Sequence, residues 1–190
     1  MKRNKRGILE VVCGSMFSGK SEELIRRLKR AEIAKLNVLA FKHSLDNRKA
    51  TEDVISHNGS KIKAFIISDA KMIISLAASA DVIGIDEVQF FPNEIIEVIL
   101  NLIDAQKRII VAGLDLDFRG IPFGCMPALL AFADKVTKLK AVCIECGDDA
   151  HFTQRIINNY PAKFNDPIIL VGAQDSYQAR CRSCYVIEKL

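Results

Sequence analysis

The sequence predicts a three-layer α/β domain built on a largely parallel sheet, and three observations predict it. Apolar runs of strand length alternate with segments of helical spacing along the first three-quarters of the chain. One such run, residues 8–12, leads directly into G-S-M-F-S-G-K-S and then into a helix-like segment, the setting of a phosphate loop. A second run, residues 82–85, delivers Asp86 and Glu87 at its C-terminal end, the end of a parallel sheet at which ligands bind.

In the octet Gly14, Ser15, Met16, Phe17, Ser18, Gly19, Lys20, Ser21, glycine lets the backbone fold so that successive N–H groups face a phosphate. The helix that follows adds its positive end. Lys20 then reaches the terminal phosphates of a nucleoside triphosphate, and Ser21 ligates Mg²⁺. The pattern, flanked by strand and helix, outweighs a plain glycine-rich turn. A helix is expected over 21–34 and a second strand over 37–42. Residues 43–60 lose all periodicity and read as a polar loop longer than an ordinary connection. A strand over 62–67 follows, then a helix capped by Asp69 and running to about 79. Pro92 opens a helix through 105, residues 108–112 form a buried strand, and 136–141 a last one. Between these lies the loop 113–124, whose glycines, Pro122 and two phenylalanines suit either a flat ligand or ordinary aromatic packing. From Val142 the rhythm stops, which divides the chain into 1–141 and 142–190.

A chain of 190 residues, 49% hydrophobic, supports one full core with a small appendage and excludes disorder. No apolar run approaches the ~18 residues of a membrane span and no signal-cleavage pattern is present, so a soluble cytoplasmic protein without a membrane partner is expected. Net charge is only +4. The densest basic stretch, Arg26, Arg27, Lys29 and Arg30, interleaves with Leu24, Ile25, Leu28 and Ala31 as the wet face of a helix, not as a nucleic-acid patch.

Two sites carry chemistry beyond the loop. Asp86 stands where a phosphate-loop protein holds its metal-side carboxylate. Glu87 is then placed to orient an attacking hydroxyl and accept its proton, the alternatives being a ligand of metal-bound water or a structural acid. A hydroxyl as weakly acidic as water faces a carboxyl some 11 pKa units lower, about 15 kcal/mol, so Glu87 would position the hydroxyl and take the proton late. Cys143/Cys146 and Cys181/Cys184 form two C-x-x-C pairs separated by residues 147–180, a longer spacing than in compact zinc modules. With no secretion signal read, a reducing compartment is expected, and four thiolates would close a tetrahedral Zn²⁺ shell with no open position, hence a structural metal. Cys13 and Cys125 read as buried small hydrophobes, and His151 is not needed as a ligand.

G-S-M-F-S-G-K-S, I-D-E-V-Q-F-F, G-L-D-L-D-F-R-G-I-P-F-G, A-V-C-I-E-C, T-Q-R and S-Y-Q-A-R-C-R-S-C, in that order, resemble the zinc-containing thymidine kinases of the cytosolic type over nearly the whole chain. The resemblance implies a RecA-like phosphate-loop domain and a zinc-held lasso that closes over a nucleoside. It implies ATP- and Mg²⁺-dependent phosphorylation of thymidine, deoxyuridine being a possible second substrate, together with feedback inhibition by dTTP and a homotetramer. Carried over by position, Glu87 resembles the catalytic base, and Asp86, Glu87, Val88 and Gln89 border the nucleotide phosphates. Phe118 is similar to the aromatic that packs on thymine. Tyr177 and the backbone of Ile169, Leu170, Val171, Gly172 and Ala173 resemble the lasso side of the pocket, with Met16, Leu114 and Thr153 as further walls. Asp46 and Arg48 resemble a loop pair near the substrate. Val88 departs from the small residue usual there, and Leu116 and Ile121 replace more polar ones. A phosphate loop, an acidic pair and four cysteines also occur in zinc-ribbon ATPases that bind nucleic acid, and a nucleotide-gated interaction module is a third reading. Mild charge and the lack of a second motor-like half disfavour the ATPase.

Overall fold

The computed structural model describes residues 6–45, 53–55, 59–168 and 176–188. Strand β1 (Ile8–Cys13) runs through the phosphate loop into helix α1 (Lys20–Ile33) and on to β2 (Val38–His43). Strands β3 (Asp53–Ile55), β4 (Lys61–Lys63) and β5 (Phe65–Ile67) follow, then α2 (Met72–Leu76) and β6 (Val82–Asp86). A 3-10 turn (Val88–Phe90), α3 (Glu94–Asp104), β7 (Arg108–Gly113), α4 (Met126–Phe132) and β8 (Lys135–Lys138) complete the main layer system. Six strands form one sheet in the order β5-β2-β6-β7-β1-β8, and every pairing in it is parallel.

The central strands are nearly continuously apolar because both their faces are buried. Side chains alternate across the sheet, so Leu9, Val11, Ile83, Ile85, Ile109 and Val111 enter the core under α2, α3 and α4. Val12, Val82, Ile110 and Ala112 enter the opposite core, under α1. Helix α1 buries Leu24, Ile25, Leu28 and Ala31 and turns Arg26, Lys29 and Arg30 to solvent, as its spacing predicts. Arg27 is the exception. It pairs at 2.8 Å with Glu10, a carboxylate 3% exposed within β1, which Arg108 also holds at 2.8 Å. Gly84 is where α1 meets β6: a Cβ there would lie 2.4 Å from Leu28 Cδ1.

Several expected elements differ. The run 62–67 is not one strand: β4 pairs antiparallel with β3 in a separate ribbon, while β5 joins the main sheet. Strand β3 also interrupts what reads in sequence as an aperiodic loop. Asp69 caps only a turn, accepting from Lys71 N–H at 2.8 Å, and α2 is five residues long. Helix α4 has no counterpart in the sequence reading. The last strand ends at Lys138, and Ala141 belongs instead to β9 (Ala141–Val142), which forms a hairpin with β10 (Asp149–Ala150). Beyond it β11 (Phe152–Ile157) lies between β12 (Tyr160–Pro161) and β13 (Ser176–Arg180), all antiparallel. No helix among the described residues is long and apolar enough to cross a membrane.

Candidate active site

The phosphate loop sits at the C-terminal end of β1, on the sheet's carboxyl edge one strand in from the edge strand β8. Its first glycine has φ 146°, and a Cβ there would stand 2.3 Å from Leu139 O, so no other residue fits. Gly19 caps α1 in the left-handed region at φ 85°. Ser18 Oγ donates to Ser15 O at 2.8 Å, and Lys20, 7% exposed, donates from Nζ to the same carbonyl at 2.9 Å. These bonds fold the lysine back along the loop, whereas Phe17, at φ 66° and 48% exposed, rides on its outside.

Strand β6 brings its acidic end to the same place. Ser21 Oγ donates to Asp86 Oδ2 at 2.8 Å. Adjacent ligands of an octahedral cation with ~2.1 Å bonds stand ~3 Å apart, so this pair of hard oxygens has the spacing of two Mg²⁺ ligands once the serine proton turns away. Lys42, 3% exposed, lies beside Asp86 in register on β2. The sequence reading passes over it, although a lysine closing the apolar run V-L-A-F at the sheet's carboxyl edge was a usable signal. The next residue, His43, is buried and accepts from Leu45 N–H at 3.0 Å through Nδ1. Its ring meets Phe91 edge-on at 4.6 Å, and burial holds its imidazole below its ordinary value.

Glu87 follows Asp86 with φ 50° and ψ 43°, a left-handed conformation costing on the order of 1–3 kcal/mol in a non-glycine residue. Such strain concentrates at sites that use it. The Glu87 carboxylate is buried and accepts from Gln89 Nε2 at 2.6 Å, while Gln89 Oε1 accepts from Leu114 N–H at 3.0 Å. Val88, expected beside the nucleotide, has its side chain in the hydrophobic core at 0% exposure. The cause is local: the left-handed turn at Glu87 rolls the chain into the 3-10 turn and sends Val88 inward.

The loop 113–124 is organised by a carboxylate. Asp117 Oδ1 accepts from Arg119 and Ile121 N–H, and its Oδ2 pairs with the Arg119 guanidinium at 2.7 Å. Phe118 is 4% exposed, and its carbonyl accepts from Tyr185 Oη at 2.6 Å. Beneath its ring, at 5.3 Å, lies the guanidinium of Arg155, a fully buried side chain that donates to Pro167 O at 2.6 Å. Sequence reasoning met Arg155 only within the segment T-Q-R and gave it no role, since nothing in that segment marks the arginine as buried. Thr153 is 3% exposed and its Oγ1 accepts from Met16 N–H at 3.0 Å, while Ser15 Oγ donates to Ala150 O at 3.3 Å. Both bonds tie the phosphate loop to the C-terminal segment. Tyr177 is half-buried on β13, opposite Arg155. Asp46, Arg48, Ile169, Leu170, Val171, Gly172 and Ala173 lie outside the described residues.

The sulfur atoms of Cys143, Cys146, Cys181 and Cys184 lie within 4.8 Å of one another, with Cys146 and Cys181 at 3.5 Å. Four ligands at ~2.3 Å from a tetrahedral zinc have edges of ~3.8 Å, so the cluster fits Zn²⁺. Gly147, at φ 82°, closes the first cysteine turn, in which its N–H donates to Cys143 O at 2.9 Å. Burial pushes the Cys143 thiol up, but backbone N–H groups of Cys181, Cys146 and Glu145 outweigh it and bring it down to about 6. Cys184 is pushed up to about 12 by the sulfurs of Cys181 and Cys146. The packed sulfurs resist ionising together, and a divalent cation removes that conflict. Cys13 and Cys125 are buried apart from this cluster, and burial raises both thiols to about 11.

Among solved structures the chain is similar to the flagellar accessory protein FlaH from Methanocaldococcus jannaschii, at 13% identity with a TM-score of 0.52 over 76% of each chain. At that identity the likeness concerns the fold. The family model for thymidine kinase matches residues 7–185. That span takes in the phosphate loop, the Asp86–Glu87 turn and all four cysteines, and the chain belongs to the thymidine kinase family.

Proposed function

We propose that this kinase transfers the γ-phosphate of ATP to the 5′-hydroxyl of thymidine, giving thymidine monophosphate, with deoxyuridine as a second acceptor. The observation that carries the reading is the Ser21–Asp86 contact, followed at the next residue of the chain by the buried Glu87, inside a family match over residues 7–185.

The backbone of residues 14–21 cradles the phosphates, and Lys20 leaves the Ser15 carbonyl to reach them. Ser21 and Asp86 hold Mg²⁺, which when bound neutralises charge on the phosphate oxygens. Glu87 accepts the nucleoside hydroxyl as a hydrogen-bond donor and takes its proton late, since prior deprotonation would cost about 15 kcal/mol. Phe118, with Leu114, Thr153 and Tyr177, borders the base, and residues 169–173 close over it through backbone groups. A backbone N–H or C=O left unpaired by the wrong base is costly, so such a lasso can discriminate without distinctive side chains. Asp46 and Arg48 complete the sugar side. The zinc-bearing unit 142–190 serves the domain 1–141 by holding the ends of that lasso. A homotetramer in the cytoplasm, inhibited by dTTP, completes the reading.

The test is phosphorylation of each deoxynucleoside in turn with ATP and Mg²⁺. Thymidine monophosphate is the expected product. Its absence, with ATP hydrolysis stimulated by single-stranded DNA, would overturn the proposal in favour of a nucleic-acid-dependent ATPase.

A further inference from the structure

We infer that Gln89 is the positioning residue for the acceptor hydroxyl: its amide fixes the direction of the Glu87 carboxylate and ties it to the loop that carries Phe118. The inference rests on the reading of Glu87 as the base.

The neighbours determine the orientation of the amide. Leu114 N–H can only donate, so the Gln89 oxygen must face it, at 3.0 Å. That leaves the NH₂ group toward Glu87 Oε2, at 2.6 Å, where a carboxylate can only accept. Turning the amide over would set oxygen against oxygen and N–H against N–H. Both side chains are 3% exposed, so water does not compete for either bond. The surroundings are cleared for this residue. A Cβ on Gly113 would lie 2.6 Å from Gln89 Oε1, and one on Gly124, at φ 51°, would lie 2.5 Å from Gln89 O. The two glycines bound the loop that carries Phe118, so side chains at either end of that loop would displace the glutamine.

The consequence is mechanical. Glu87 leaves its strand through a strained left-handed turn, and the bond from Gln89 aims its carboxylate in advance. A base already aimed does not lose orientational freedom in the transition state. Because the same amide grips Leu114, a shift of the 113–124 loop reaches the base through two hydrogen bonds.

The test uses the full chain with ATP, Mg²⁺ and thymidine, reading kcat, thymidine KM and nucleotide Kd. Gln89→Glu keeps the acceptor for Leu114 N–H but sets a carboxylate against Glu87. At saturating nucleotide, which the Kd serves to set, it is expected to lower kcat about ten- to a hundredfold, the value of one charge-assisted hydrogen bond, with thymidine KM within about threefold. Gln89→Met keeps the volume but loses both bonds, and is expected to lower kcat and raise KM. The double variant that combines Glu87→Gln with Gln89→Glu restores the hydrogen bond with its polarity reversed. It should fold as the wild type does, and it should be no slower than Glu87→Gln alone, because Gln89 acts only through Glu87. Wild-type kcat in Gln89→Glu, or a further full loss when it is added to Glu87→Gln, overturns the inference. A wild-type enzyme that forms no thymidine monophosphate overturns the proposed reaction, and this inference with it.

Discussion

The contact between Gly84 and Leu28 joins the two elements that build the phosphate site, and it can be perturbed by a single methyl. Gly84 lies two residues before Asp86 on β6, and Leu28 lies on α1, whose first turn carries Lys20 and Ser21. In Gly84→Ala the new Cβ would stand 2.4 Å from Leu28 Cδ1 and 3.0 Å from Cδ2, against ~3.5–4.0 Å for an ordinary carbon contact. Leu28, or the helix with it, must move by roughly 1–1.5 Å. Overpacking of this kind costs about 1–3 kcal/mol, and relief of the glycine's backbone freedom returns about 0.5–1 kcal/mol. The expected net loss is about 1–2 kcal/mol. Leu28→Ala alone leaves a cavity costing about 2–5 kcal/mol. In the double variant the methyl added at position 84 enters the vacated space, so the two losses should fall short of additivity by about 1–2 kcal/mol. Urea melts of the four proteins at constant m-value measure this directly. The geometry adds a functional readout: moving α1 off β6 strains the 2.8 Å contact of Ser21 with Asp86. Nucleotide affinity should therefore weaken in Gly84→Ala and recover in the double variant. Additivity within about 0.5 kcal/mol would refute the reasoning, since Leu28 would then have yielded at no cost.

Glu87→Gln should bind ATP normally and lose at least a hundredfold in kcat, and near-normal turnover in a steady-state assay would remove Glu87 from its proposed role. Glu10→Gln should cost about 2–3 kcal/mol, less than a fully buried pair because Arg108 is partly exposed and Arg27 keeps Glu23, lowering Tm by about 4–12 °C. Burial opposes ionisation of Glu10, but Arg108 and Arg27 prevail and hold its carboxyl below the usual 4.5. Its contribution is therefore fully present above pH 4.5 and disappears as pH falls through the lower folded value, so the two melting curves should converge in acid. Metal analysis should find about one zinc per chain, and a chelator should melt the Cys143–Cys184 region with a large loss of stability; an oxidised, metal-free cluster would contradict the site.

Legibility in the sequence followed the range of the interaction. The path from β1 through the phosphate loop into α1, and the delivery of Asp86 by β6, are written in contiguous residues whose spacing repeats the structure. The same holds for the two cysteine pairs, because each C-x-x-C is a local turn. Helix α4 was illegible because M-P-A-L-L-A-F has no polar face to mark a period. The β3–β4 ribbon rests on three-residue strands, D-V-I and K-I-K, too short for alternation to register. Residues 62–67 read as one strand because nothing in their side chains marks where the chain passes from one sheet to another. The left-handed turn at Glu87 leaves no trace in composition, and neither does the burial of the Val88 side chain that follows from it. Arg155, and the bond from Met16 to Thr153, depend on partners far away in the chain, which only folding brings together.

That last bond crosses 137 positions and joins the phosphate loop to the segment between the two cysteine pairs. Thr153 lies between the two cysteine pairs, so the frame that the four cysteines gather includes an acceptor for the phosphate loop. Two ligands bound to one connected frame obey reciprocity: whatever factor zinc contributes to nucleotide affinity, nucleotide contributes to zinc retention. Nucleotide should then slow the escape of zinc to a chelator by a factor set at the phosphate loop, although no phosphate touches a cysteine. A zinc ion held by the four cysteines would be structural in its coordination and, in thermodynamic terms, an effector of nucleotide bound at the phosphate loop.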